Sequence, residues 1–171
     1  MLNKYNVDLN AVLVKPLYFG LLMNIFVPAT LLLIAYFIEQ GKIMERKLSF
    51  TNGDLLFWIL LVMAVADGAM AVFMRQRLFF RPMIRTKETF ANDLTAQVFK
   101  ASIICYAITT AIAIYGFALY MVSGGFDRLF LFIFISFIAF QIIRPRHGFL
   151  KKVIEAQGKH VDERRYATPP K

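Results

Sequence analysis

A single cysteine, Cys105, and two histidines stand among 171 residues. That scarcity removes several classes of chemistry at once. One cysteine cannot close an internal disulfide, and no CxxC or Cys/His spacing suited to a metal site exists. His147 and His160 both lie in the C-terminal tail, so no pair of axial haem ligands can face each other across a bilayer. No Ser-His-Asp set, Walker loop, H-E-x-x-H helix or phosphate-cradling glycine run is present. Acids are few as well, 11 against 20 lysines and arginines. Two of them, Asp8 and Glu39, are expected near opposite membrane faces, too far apart to act as a pair. The expectation is a protein that is no enzyme, with no catalytic residue, no cofactor and no metal.

Apolar residues, by contrast, make up 58% of the chain. They fall into long runs at 17–38, 55–74, 98–122 and 129–143. About 20 apolar residues cross a bilayer as a helix. The fourth run is short, and Phe126 is expected to extend it to 126–143. Pro16 is placed in a first helical turn, where a missing N–H costs little, and Pro28 is expected to kink the first span. Thr51 or Asn52 is expected to cap the second span and Asn92 or Asp93 the third. Gly124 and Gly125 end the third. Short connections make spans 1 and 2, and spans 3 and 4, antiparallel neighbours. The fold class expected is all-α, an integral membrane four-helix bundle. An N-terminal segment 1–16 precedes the 17–143 membrane domain, and a basic tail 144–171 follows it.

The charges give a direction. With four spans, both termini and the 75–97 connection share one side, which holds 16 of the 20 lysines and arginines. Cytoplasmic loops carry such an excess, so an N-in, C-in orientation in the cytoplasmic (inner) membrane is expected. Trp58 then falls near the outer interface. The net charge of +9 has this cause, and nucleic acid is not an expected partner.

Asp67 stands out in "VMAVADGAMAVFM", 62–74. It lies eight residues before Arg75, about 12 Å into the membrane at the helical rise. The same ruler puts Asn24, Tyr106, Thr109, Thr110 and Ser136 at similar depth, one polar group or more per span. A carboxyl in hydrocarbon needs hydrogen-bond partners and should face the bundle interior. With no base at its depth, its neutral form is favoured. Thr109, Thr110 or Tyr106 is the expected partner. Ala64 and Gly68 form a small-xxx-small pair that should draw spans 2 and 3 together. Asp67 is read as helix glue or as an ion- or proton-handling acid.

The segment "TAIAIYGFAL", 110–119, resembles the carboxyl-bearing helix of the c or K subunits of rotary ATPases. "RQRLFFRP", 75–82, fills the place of the basic hairpin loop. The resemblance implies a c-like helical hairpin inside a four-helix protein. Thr110 stands where that family carries its acid, so proton transport is not carried over.

On the cytoplasmic side, Arg77, Arg81, Arg85 and Lys87 lie beside Phe79 and Phe80, a composition that attracts anionic lipid headgroups. In the tail, Phe149, Leu150, Val153 and Ile154 form a short amphipathic segment, 148–157. Phe149 and Val153 are expected to face lipid or a partner, and Gly158 to end the segment. The function expected is that of a structural or accessory subunit of a larger membrane assembly. Its partners would be membrane lipids and other membrane subunits, or a second copy. The alternative is an oligomeric carrier, channel or proton-conducting component built around Asp67.

Overall fold

The computed structural model describes residues 7–41, 53–82 and 88–163. Among these residues, regular structure is entirely helical. The first span is one rod in three pieces: α1 (Leu9–Leu21), a π segment (Leu22–Phe26) and α2 (Val27–Gly41). There follow α3 (Gly53–Phe80), α4 (Phe90–Ser123), α5 (Phe126–Ile143) and α6 (His147–Asp162). Four helices, Leu9–Gly41, Gly53–Phe80, Phe90–Ser123 and Phe126–Ile143, are long and apolar enough to cross a membrane. Their length and composition are those of membrane-spanning helices.

The helix ends explain where these rods start. The Asp8 side chain accepts from the Asn10 N–H at 2.9 Å, so α1 begins at Leu9. Pro16 is therefore not in a first turn but inside the helix, buried. Its ring removes one ladder bond and crowds the preceding turn. Pro28 does the same to the carbonyl four residues back, at Asn24. The ladder yields there as a π turn, in which the Val27 N–H reaches Leu22 O. At α4 the cap position belongs to Thr89, not to Asn92 or Asp93. The Thr89 hydroxyl donates to Asp93 Oδ2 at 2.7 Å, while the Asp93 N–H returns a bond to Thr89 O. Gly124 ends α4 with φ 74°, a left-handed turn that a side chain would strain. Thr51 and Asn52 lie outside the described residues.

Helix α4 is the axis of the bundle. Half of its most apolar window is buried, against 11% for α3. It packs along α5, and the first rod and α3 flank that pair. Gly116 sets the α4–α5 approach. A Cβ there would stand 2.5 Å from Phe132 Cβ and 3.3 Å from Leu129 O. The α3–α4 contact is made by Ala64 and Ala71, both fully buried. Gly68 is not part of it, because a Cβ on Gly68 meets nothing within 4 Å. The close-approach stripe is thus spaced by seven residues, not by four.

Lengths decide what happens at the end of the bundle that holds the start of α1. The first rod and α4, with 33 and 34 residues, are about 50 Å long, against a hydrocarbon thickness of about 30 Å. Helix α5, with 18 residues, spans only about 27 Å. The start of α1, the end of α3 and the start of α4 therefore run on past the end of α5. Helix α6 takes the place α5 leaves. Its Leu150, Val153, Ile154 and Val161 join Val12, Leu13, Phe79, Phe90, Leu94 and Val98 in one buried cluster.

Two expectations about the tail are corrected here. Val153 does not face lipid, being fully buried in this cluster. Gly158 does not end the helix. It is buried, and α6 continues to Asp162. Packing of the surrounding stripe outweighs the roughly 1 kcal/mol that a glycine costs a helix.

Candidate functional site

The polar residues expected in one layer divide into two places. Four of them meet inside the bundle. Thr109 Oγ1 donates to Asn24 Oδ1 at 2.7 Å, and Ser136 Oγ donates to Thr109 O at 2.7 Å. These two bonds tie the π segment, α4 and α5 together. Asn24 Nδ2 donates to Gly20 O at 3.2 Å, taking up a carbonyl of the interrupted ladder. Thr110 Oγ1 reaches Met23 O at 3.4 Å. Such bonds are worth about 0.6–2 kcal/mol each in membranes. Tyr106 adds its ring rather than its hydroxyl. The ring lies over Gly20, whose added Cβ would come within 2.7 Å of Tyr106 Cζ, and packs 5.5 Å from Phe140. Its hydroxyl is buried beside Ser102 without a hydrogen bond of good geometry.

Asp67 is elsewhere. Its hydrogen bond comes from Tyr115, whose hydroxyl donates to Asp67 Oδ2 at 2.7 Å. None comes from Thr109, Thr110 or Tyr106. Depth is not the reason. Cys105 Sγ faces Ala71 O across the α3–α4 seam, which sets Asp67 level with about Thr109 at equal helical rise. The difference is one of direction around α4. Thr109 and Thr110 turn toward the first rod and α5, whereas Tyr115 lies at the α3 side. Helical side chains lean toward their own N-terminus. In this antiparallel pair, Tyr115 and Asp67 therefore lean toward each other along the bundle. Asp67 is only partly buried, and its neighbours Val65, Ala66, Ala69 and Met70 are exposed. The carboxyl sits at the rim of the seam and opens onto the surface the bundle would turn to lipid.

A second polar site, absent from the sequence expectations, closes the end of α3. Gln97 on α4 donates from Nε2 to Leu78 O and Arg81 O, both at 3.0 Å. Gln157 on α6 donates to Phe79 O at 3.2 Å and Arg81 O at 2.8 Å. Both glutamines are buried. Two side-chain amides thus satisfy the carbonyls that every helix leaves open at its C-terminus. Arg75 joins the same corner. Its Nη1 donates to Ile142 O at 2.8 Å, near the end of α5, and its guanidinium lies 3.9 Å above the Phe149 ring of α6. A signal was present in the sequence. Gln97 falls beside the stripe Leu94, Val98 and Ala101, and Gln157 within the stripe Val153, Ile154 and Val161. A glutamine in such a stripe is buried and must find acceptors.

The expected hairpin loop "RQRLFFRP" is helical as far as Phe80. Arg77 and Arg81 are exposed there, along a depression of about 600 Å³ that Gln76 and Phe80 also line. Arg85 and Lys87 lie outside the described residues. Cys105 is buried. His147 Nε2 lies 3.1 Å from Asn10 Oδ1 and so joins α6 to α1. Among the described residues, no group of three His, Cys, Asp or Glu side chains comes together as a metal site. No known family model matches this chain, and no curated protein or solved structure matches it either.

Proposed function

We propose that this chain is an accessory subunit of a membrane assembly, and that it docks a partner's transmembrane helix on the exposed face of α3. One observation carries the reading: a carboxyl in the middle of a span, partly exposed at the bundle surface, with one hydrogen bond from Tyr115. An acid facing hydrocarbon is costly unless another group covers it. Gly68, one residue on, leaves room for a close neighbour, and small residues let membrane helices approach. The partner helix would carry a hydrogen-bond donor or a base.

The membrane in this reading is the cytoplasmic one, with both termini inside. The charge bias supports that direction. Topology reporters fused after Lys171 and within 42–50 check it. Inside activity is expected at the first and outside activity at the second.

The docking face is tested by Gly68→Phe. A Cβ at Gly68 meets nothing within 4 Å, so the added side chain can leave the protomer toward the outer surface, and thermal stability in detergent should stay within about 1 kcal/mol of the parent. Co-purification of the partner from solubilised membranes should fall about tenfold or more, the effect of losing close packing at an interface centre. Unchanged co-purification would sink the proposal, and loss of a homodimer alone would move it to self-association. Asp67→Asn separates the alternative reading. It keeps a hydrogen-bonding group, so docking should persist. A stable, docked but inactive variant would favour a proton-handling acid instead.

A further inference from the structure

At the opposite flank of the bundle, a groove of about 390 Å³ runs between α1 and the α5–α6 corner. Its walls are of two kinds. Leu13, Val14 and Leu17 of α1 form an apolar side, and Arg144 and Arg146, with His147 beside them, form a basic rim. Among the described residues that line it there is no carboxylate. The groove sits where the apolar run of the first span begins and that of the fourth ends, level with the edge of a bilayer.

We infer that this groove binds one anionic phospholipid, its phosphate at Arg144 and Arg146 and an acyl chain along Val14 and Leu17. The chemistry of the walls selects that occupant. A phosphate accepts several hydrogen bonds, and a guanidinium presents five donors in a planar fork. Arg146 commits only Nη2, to Gln141 O at 3.3 Å, and keeps its other donors. Arg144 is half-buried, so its charge is less screened than that of a fully exposed side chain. His147 Nε2 is engaged with Asn10, which holds the ring at the rim. Val14 is 46% exposed, an apolar surface beside the cations that a free phosphate would leave uncovered and an acyl chain would cover. A headgroup alone accounts for half of the groove, and a neutral lipid for the other half. An anionic phospholipid accounts for both. The site is independent of Asp67 and of the α3 face, and rests only on the chain lying in a bilayer.

Native mass spectrometry of the full chain in detergent tests it, with phosphatidylglycerol, phosphatidylcholine of the same chains, and inorganic phosphate as probes. One phosphatidylglycerol per chain is expected, held about tenfold or more tightly than phosphatidylcholine, as two arginines near a headgroup provide. Combined Arg144→Gln and Arg146→Gln should remove that preference. Lys100→Gln, an exposed basic residue outside the groove, should leave it unchanged. Val14→Asn alters only the exposed apolar wall, and should weaken retention of both lipids without changing the preference. Equal losses from Lys100→Gln and the paired variant would reduce the effect to general surface charge and overturn the site. Displacement of the lipid by equimolar phosphate would make it a soluble-anion site and overturn the lipid. If the paired variant does not fold, unchanged retention in Val14→Asn overturns the proposal by itself.

Discussion

Replacing Gly116 by valine is expected to cost about 3 kcal/mol or more and to separate α4 from α5, because overfilled cores strain backbones by such amounts. The obstacle is unusual in kind. The first atom a Cβ would meet is Phe132 Cβ, at 2.5 Å, and the next backbone group is Leu129 O, at 3.3 Å. Neither can rotate away, so relief requires moving α5 itself. Even Gly116→Ala should destabilise clearly. Gly68→Ala is the matched control. It meets no atom within 4 Å and gains helix propensity, so it should be neutral or stabilising by up to about 1 kcal/mol. Thermal unfolding of the three proteins in one detergent checks the order. A Gly116→Val protein as stable as the parent would mean that the α4–α5 contact is looser than described.

Gln157→Glu is expected to release α6 from the bundle. The change is almost isosteric, and it reverses the polarity of one buried atom. Gln157 Nε2 donates to Phe79 O and Arg81 O. An ionised carboxyl would set acceptor against acceptor at a fully buried position. The lost bonds and the uncompensated charge together should cost about 3 kcal/mol or more. Protease cleavage within 147–162 should accelerate accordingly, while the α4–α5 contact persists. Acid should partly restore docking, since a protonated carboxyl can donate again. Gln157→Leu should cost less, because Gln97 still donates to Arg81 O. The two glutamines share that acceptor, so Gln97→Leu and Gln157→Leu together should depart from additivity. Full protection of α6 in Gln157→Glu at neutral pH would show that the amide is not what holds the helix.

The four long helices could be read from the chain because run length alone identifies them. The overhang could not. "FANDLTAQ" reads as a polar loop with a cap, yet Phe90, Leu94, Val98 and Ala101 lie on one helical stripe and are buried together. The α6 stripe was visible, but a stripe packed on lipid and one packed on protein have the same periodicity. Only the excess length of α4 over the bilayer distinguishes them. Depth along a helix was likewise legible, and direction around it was not. Asn24, Thr109 and Ser136 meet in the interior. Asp67, at the same level, turns to a different face and takes Tyr115. α4 carries polar groups on more than one side, so no periodic pattern assigns each to a neighbour.

With the long helices in a bilayer, the replacement of α5 by α6 beyond Ile143 would have one chain fold in two solvents. Once the long helices lie in a bilayer, burying their apolar side chains gains nothing from water, because lipid is equally apolar. Their cohesion comes from packing at Gly116, Ala64 and Ala71 and from the Asn24–Thr109–Ser136 bonds. The cluster under α6 lies in the overhang, where the alternative to burial is water, and the hydrophobic effect acts in full. That end alone carries the positive heat capacity of unfolding, weakens on cooling and yields to urea. The two ends of the molecule therefore answer to different denaturants, and the aqueous end can melt while the membrane end stands.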